Sequence, residues 1–173
     1  MPDPPKRPPL RWVYVYVLLI PLVNWSFAHV PTVPMWDGGA WSPMAVVTGL
    51  ILVVRDFAQR EVGHRIFIPL MIGVAISFAM APPAIAIASA AAFAISEIVD
   101  WLVFTVSKRP LSQRVLISSA FGAPIDSAAF WFLTSLSVAG VFTWSTIATA
   151  IASKMVGAYV VYRVLRRRER LKR

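Results

Sequence analysis

The stretch Ala84–Val106 reads AIAIASAAAFAISEIVDWLVFTV. It is longer than the roughly 20 apolar residues that cross a bilayer as a helix. Its alanines permit close helix packing. Two acids, Glu97 and Asp100, interrupt it three positions apart, which puts both on one helix face. A helix that is apolar yet carries two acids on one side predicts a membrane span with a polar inner face.

Five comparable runs surround it. They are Trp12–Ala28, Met44 to about Gln59, Ile66–Met80, Val115–Val138 and Trp144–Tyr162. Of the 173 residues, 58% are hydrophobic and 14% charged; soluble domains average about 45–50% and about 25%. Mean hydropathy is +0.68. The reading is an all-α integral membrane protein of six transmembrane helices, forming one domain over 12–165. A Pro-rich basic tail, 1–11, precedes it, and a basic tail, 166–173, follows it. Ser26-Phe27-Ala28 has the small-x-small form of a signal-peptide cleavage site, but five further spans favour a retained first helix. Residues 29–43 form a loop with an interfacial element around Trp36 and Trp41.

The net charge of +9 points to a membrane surface and not to nucleic acid, because of where the cations lie. Arg163, Arg166, Arg167, Arg168, Arg170, Lys172 and Arg173 follow the last apolar run. Lys6, Arg7, Arg11, Arg60, Arg65, Lys108, Arg109 and Arg114 fall on the same side of a six-span chain. Loops 29–43, 81–83 and 139–143 on the other side have no Lys or Arg. The positive-inside rule then sets both termini in the cytoplasm of a cell with a cytoplasmic (inner) membrane, with the basic face against anionic lipid.

Six charges fall within spans, where each costs about 2.5–3.5 kcal/mol or more unless paired or facing a polar cavity. Asp126 lies roughly 18 Å beyond Arg114, and Lys154 roughly 15 Å beyond Trp144, at 1.5 Å per residue. Both are near the midplane, which predicts an ion pair. Glu97 and Asp100 need donors, cations or protons between them. Asp56 and Arg60 have the favourable acid-first spacing for an intrahelical pair and, with Arg55, form a candidate gating or structural ion-pair group. Gly122 and Pro124 predict a kinked or broken fifth helix. Trp101 and Trp131 stand near acidic positions and are the aromatic candidates for stacking on a flat ligand. Asn24 is a lone polar residue in the first span, suited to helix–helix contact, and it completes the candidate substrate-binding set of Glu97, Asp100, Asp126, Lys154, Trp101 and Trp131.

The absence of cysteine excludes a disulfide framework, a thiol nucleophile and thiolate metal ligation. Two histidines, His29 and His64, make a metal site improbable, and no cofactor is expected. The chain has no G-x-S-x-G, H-E-x-x-H or Gly-Asp pair of the membrane aspartyl-protease type, so it is not read as an enzyme. It has no P-loop either, so ATP acts only through a partner chain.

Four elements, Asp56-x-x-x-Arg60-x-x-Gly63, Ser96-Glu97-x-x-Asp100, Phe121-Gly122-x-x-x-Asp126-Ser127 and Lys154, occur in that order on successive spans. In order and spacing, over about 44–160, they resemble the queuosine precursor transporter family, also called the vitamin uptake transporter (VUT) family. Arg55 is an additional charge beside the first element. The resemblance implies a six-helix fold similar to the substrate-binding subunits of energy-coupling-factor transporters, and uptake of 7-cyano- or 7-aminomethyl-7-deazaguanine. A guanine-like edge presents adjacent N–H donors that a carboxylate accepts in pairs. The competing reading is an accessory or binding subunit for another vitamin-like heterocycle, driven by an ATPase partner. The energy source stays open, and small-residue faces on spans four and six suit either internal packing or a homo-oligomer.

Overall fold

The computed structural model describes residues 10–80, 83–136 and 139–171. Residues 1–9, 81–82, 137–138 and 172–173 lie outside the described residues, as do the side chains of Asn24, Phe27, Ala28, Ser77, Met80, Pro83, Ala84, Ile85, Ala86, Ala88 and Ser89. The chain is mostly helical. Six α-helices are described: α1 Arg11–His29, α2 Met44–Val62, α3 Phe67–Met80, α4 Pro83–Val106, α5 Leu111–Ser135 and α6 Trp144–Arg170. Two of them, α5 and α6, are long and apolar enough to cross a membrane.

The helices pack as a closed ring in the order α1, α2, α6, α5, α4, α3 and back to α1. Helix α2 also reaches across the ring to α5 and α4. It ends at Gly63, whose φ of 60° suits a glycine beyond a helix C-terminus. A single 3₁₀ turn, Gly63–Ile66, then redirects the chain into α3.

Two apolar clusters hold the ring. Tyr16, Ile20, Val23, Ile51, Ala58 and Ile66 join α1 to α2 and the 3₁₀ turn. Val53, Phe104, Val115 and Ala158 join α2, α4, α5 and α6. Between them the interior is charged: Arg55, Asp56, Glu97, Asp100 and Lys154 are all buried. The outside is greasy, with Leu18, Ile68, Met71, Leu102, Phe121 and Val160 exposed. Soluble proteins have the reverse distribution, with large apolar surfaces covered and charges outside.

Helices α2 and α6 meet closely. A Cβ added at Gly49 would lie 2.4 Å from the Lys154 carbonyl oxygen and 2.5 Å from its Cα. A Cβ added at Gly157 would lie 3.3 Å from the Gly49 carbonyl carbon, the Leu50 nitrogen and Leu50 Cδ2, tight but less so than at Gly49. A glycine on each helix lets the backbones touch where larger side chains would hold them apart.

Three sequence expectations change. Helix α6 runs on through Arg170, so the basic residues 166–170 are helical and not a tail. Arg and Lys are good helix formers and favour a helix C-terminus. Helix α5 starts at Leu111 and is unbroken through Pro124; the proline removes one backbone donor without ending the helix. The loop 29–43 contains a short antiparallel hairpin, β1 Val33–Pro34 with β2 Ala40–Trp41.

That hairpin is fastened to the start of α6. Asp37 accepts from the Ser145 hydroxyl and from the Ser145 N–H at 3.1 Å. Ala40 N–H donates to Thr146 Oγ1 at 3.0 Å, and Trp41 Nε1 donates to Ser153 Oγ at 2.8 Å. Trp36 is exposed, as an interfacial tryptophan would be, whereas Trp41 turns inward. At the other end, Glu61 accepts from the N–H groups of Trp12 and Val13. Glu169 accepts from Ser112 N–H at 3.0 Å and Ser112 Oγ at 2.6 Å. Three acids thus cap the N-termini of α6, α1 and α5, where orphan N–H groups and the helix dipole favour negative charge.

Gly49→Ala is expected to lower stability by about 1–3 kcal/mol, the usual range for overpacking, because its new methyl meets backbone. Gly157→Ala, with more room, should lower it less. Thermal unfolding in detergent compares the two. The Ser145 side-chain hydrogen bond, helped by backbone N–H groups, holds Asp37 at about 2, below its ordinary 3.8. A depressed carboxyl stabilises above its unfolded value and loses that contribution as pH falls through the folded one. The difference in melting temperature between wild type and Asp37→Asn should therefore be present above pH 4 and close as pH approaches 2.

Candidate functional site

Positions 55, 56 and 59 of α2 lie on the inner side of the helix, and all three are buried. From there Arg55 sends its guanidinium to α4. Its Nε donates to Glu97 Oε2 at 2.6 Å, and Nη2 donates to the Glu97 backbone carbonyl at 2.8 Å. Nη1 donates to Asp56 Oδ1 at 3.2 Å and to Gln59 Oε1 at 2.7 Å. Gln59 passes the chain of contacts to Thr105 Oγ1 at 3.0 Å. On the α5 side, Ser118 Oγ donates to Asp56 Oδ2 at 2.6 Å. A planar fork with five N–H donors suits this multiple engagement better than an ammonium group.

A second pair lies beside the first. Lys154 of α6 bonds Asp126 of α5 and donates to Ser127 Oγ at 2.9 Å. Ser96 of α4 donates to the other Asp126 oxygen at 3.3 Å. Asp126 and Lys154 are therefore partners, as their sequence depths suggested.

Asp100 is different. It is almost fully buried, forms no salt bridge, and its Oδ1 has no hydrogen-bond partner among the described residues. Its carboxylate lies flat on Gly122 of α5, where a Cβ would come within 2.1 Å of Oδ1. Glu97 Oε1, Ser119 Oγ and the Tyr16 hydroxyl are also buried without a hydrogen bond among the described residues. Tyr16 and Glu97 lie close together but fall short of a hydrogen bond.

Several sequence expectations need correcting. Asp56 does not pair with Arg60. Its two oxygens are taken by Arg55 and Ser118, while Arg60, one turn nearer the helix end, is exposed. Arg55, which the resemblance left as an extra charge, joins the two acids. Gly122 makes room for Asp100 in an unbroken helix instead of breaking it. Trp101 turns away from the acids. One residue beyond Asp100 is about 100° around the helix, so its indole meets His64 at 3.1 Å and packs on Phe67. Trp131 makes an edge contact with Phe130, and nothing places it against the carboxylates.

Gln59, Ser118, Ser119 and Tyr16 were not picked out from sequence. Gln59 sat in the polar cluster ending the second apolar run. Tyr16 gave no signal, being one of several aromatics in an apolar run. Among the described residues, no three His, Asp or Glu groups are placed to hold a metal ion. No protein-family model matches the chain, and neither does any curated protein or solved structure compared with it.

Glu97 Oε1 and Asp100 Oδ1 are thus buried acceptors without donors among the described residues. Arg55→Met would leave Glu97 and Asp56 buried without their cation. Removing one partner of a buried pair costs about 3–5 kcal/mol. Arg60→Met should change stability by no more than about 0.5 kcal/mol, as surface substitutions do. Parallel thermal unfolding of the two variants separates these outcomes.

Proposed function

We propose that the protein is a six-span membrane transporter with both termini cytoplasmic, in the cytoplasmic (inner) membrane, taking up a 7-deazaguanine precursor of queuosine. Helices α5 and α6 have the length and apolarity for a membrane. The greasy exterior and charged interior favour lipid outside and a polar path inside. The cations of Arg11, Arg60, Arg65, Lys108, Arg109 and Arg114 and those ending α6 fall at one end of the helices. The loops at the other end have none.

The observation that carries the reading is the pair of unmet carboxylate oxygens, Glu97 Oε1 and Asp100 Oδ1, inside the ring. Buried acceptors without donors are costly. A guanine-like base supplies adjacent N–H donors on one planar edge, and carboxylates accept them strongly. Lys154 sits where it can release Asp126 to a substrate and donate to the ring oxygen. The motifs that resemble the queuosine precursor transporter family contribute Asp56, Glu97, Asp100, Asp126 and Lys154 to this same interior. In this mechanism the empty site is held together by Lys154–Asp126, and substrate replaces part of that network as the ring opens to the other side.

The test is uptake into liposomes holding only the purified protein, using labelled 7-cyano- and 7-aminomethyl-7-deazaguanine beside guanine, thiamine and riboflavin. Uptake of a deazaguanine alone is expected. Asp126→Asn and Lys154→Ala should lower it at least tenfold while remaining folded. Normal transport by those variants sinks the mechanism. Uptake that appears only when an ATPase is added returns the chain to the subunit reading.

A further inference from the structure

The enclosed polar set has more negative than positive groups. Among the described residues, Asp56, Glu97, Asp100 and Asp126 have Arg55 and Lys154 as their cations. Arg55 is shared between Glu97 and Asp56, and Lys154 is engaged by Asp126. Among the described residues, no ion pair is formed by Asp100. Asp56, Glu97 and Asp126 lie around it as well as Arg55, so acids outnumber the cation at its side.

The surplus is accompanied by unused hydroxyls. Among the described residues, the hydroxyls of Tyr16 of α1 and Ser119 of α5 are buried without a hydrogen bond, Tyr16 having Glu97 as its neighbouring acceptor. Tyr16 lies beside Glu97 and within electrostatic reach of Arg55 and Asp100. Ser119 stands three positions before Gly122, on the side of α5 that Asp100 approaches. Unmet acceptors and unmet hydroxyls from α1, α4 and α5 thus occupy one region. Native interiors leave few such atoms, and a group of them calls for an occupant.

Charge decides what kind of occupant. A buried carboxyl without a cation keeps its proton, and a neutral ligand leaves it so. A primary ammonium brings three donors and one positive charge. It gives Asp100 the cation that it lacks and lets it act as a carboxylate. Resting on the transport reading above, we propose that the surplus selects a cationic substrate, a planar heterocycle bearing a primary ammonium group, held by Asp100 and Glu97 in preference to its neutral counterpart.

The probes are 7-aminomethyl- and 7-cyano-7-deazaguanine, which share one base and differ in ammonium against nitrile. Their apparent Kd values are read from ligand-induced thermal stabilisation of the purified full-length protein at pH 7. The aminomethyl base should bind at least tenfold more tightly. Asp100→Asn should bring the ratio close to one, whereas Asp37→Asn, outside the interior, should leave it unchanged. Equal affinities, or preference for the nitrile, overturn the charge selection and leave the transport reading standing. Binding of neither base overturns both. A preference that survives in folded Asp100→Asn overturns the role given to Asp100. If that variant does not fold, the wild-type ratio alone decides the selection.

Discussion

Arg55 crosses from α2 to α4 and bonds both the Glu97 side chain and the Glu97 backbone carbonyl. The same guanidinium holds Asp56, which Ser118 ties to α5. One side chain thereby links helices from opposite parts of the ring. Its cost of burial is offset only because every engaged acceptor is well placed. Glu97 and Asp56 can stay inside because Arg55 does, and the remaining polar contacts are arranged around that group. Gln59 orients one edge of the fork, and the Lys154–Asp126 pair forms a separate contact between α5 and α6.

The carboxylates divide by position. Asp37, Glu61 and Glu169 each sit at a helix N-terminus and satisfy backbone donors there. Asp56, Glu97, Asp100 and Asp126 are inside the ring. The first group fastens ends: α1 to α2, α5 to α6, and the hairpin to α6. The second group makes the interior reactive to charge. A mutation in the first set should loosen one end of the structure, while one in the second breaks contacts between helices across the ring.

The helices were readable from sequence because apolar runs and their interruptions are local signals. The Asp126–Lys154 pair was readable because depth follows from counting residues. Partners at equal depth are harder. Asp56 has Arg60 at a favourable spacing on its own helix, yet Arg55 and Ser118 take its oxygens, since packing across helices decides between them. Gly122 beside Pro124 suggested a break, but a glycine in a helix also admits a neighbour's carboxylate, and only the position of α4 distinguishes the two. Trp101 followed an acid in sequence, but adjacent residues on a helix point in different directions. Tyr16 became notable only once α1 was placed beside Glu97.

The contact between Gly49 and the Lys154 backbone restricts where motion can originate. With main chain against main chain, α2 and α6 have little freedom to slide past one another at that level. Lys154 is then an anchored base carrying a long flexible arm. Its ammonium group can change partners by rotation about the side-chain bonds while its Cα stays still. Helices α4 and α5 are held differently: Phe104 packs on Val115 and Arg114, and Ser96 bonds Asp126, so side chains interlock there around the one place where the Asp100 carboxylate rests on Gly122.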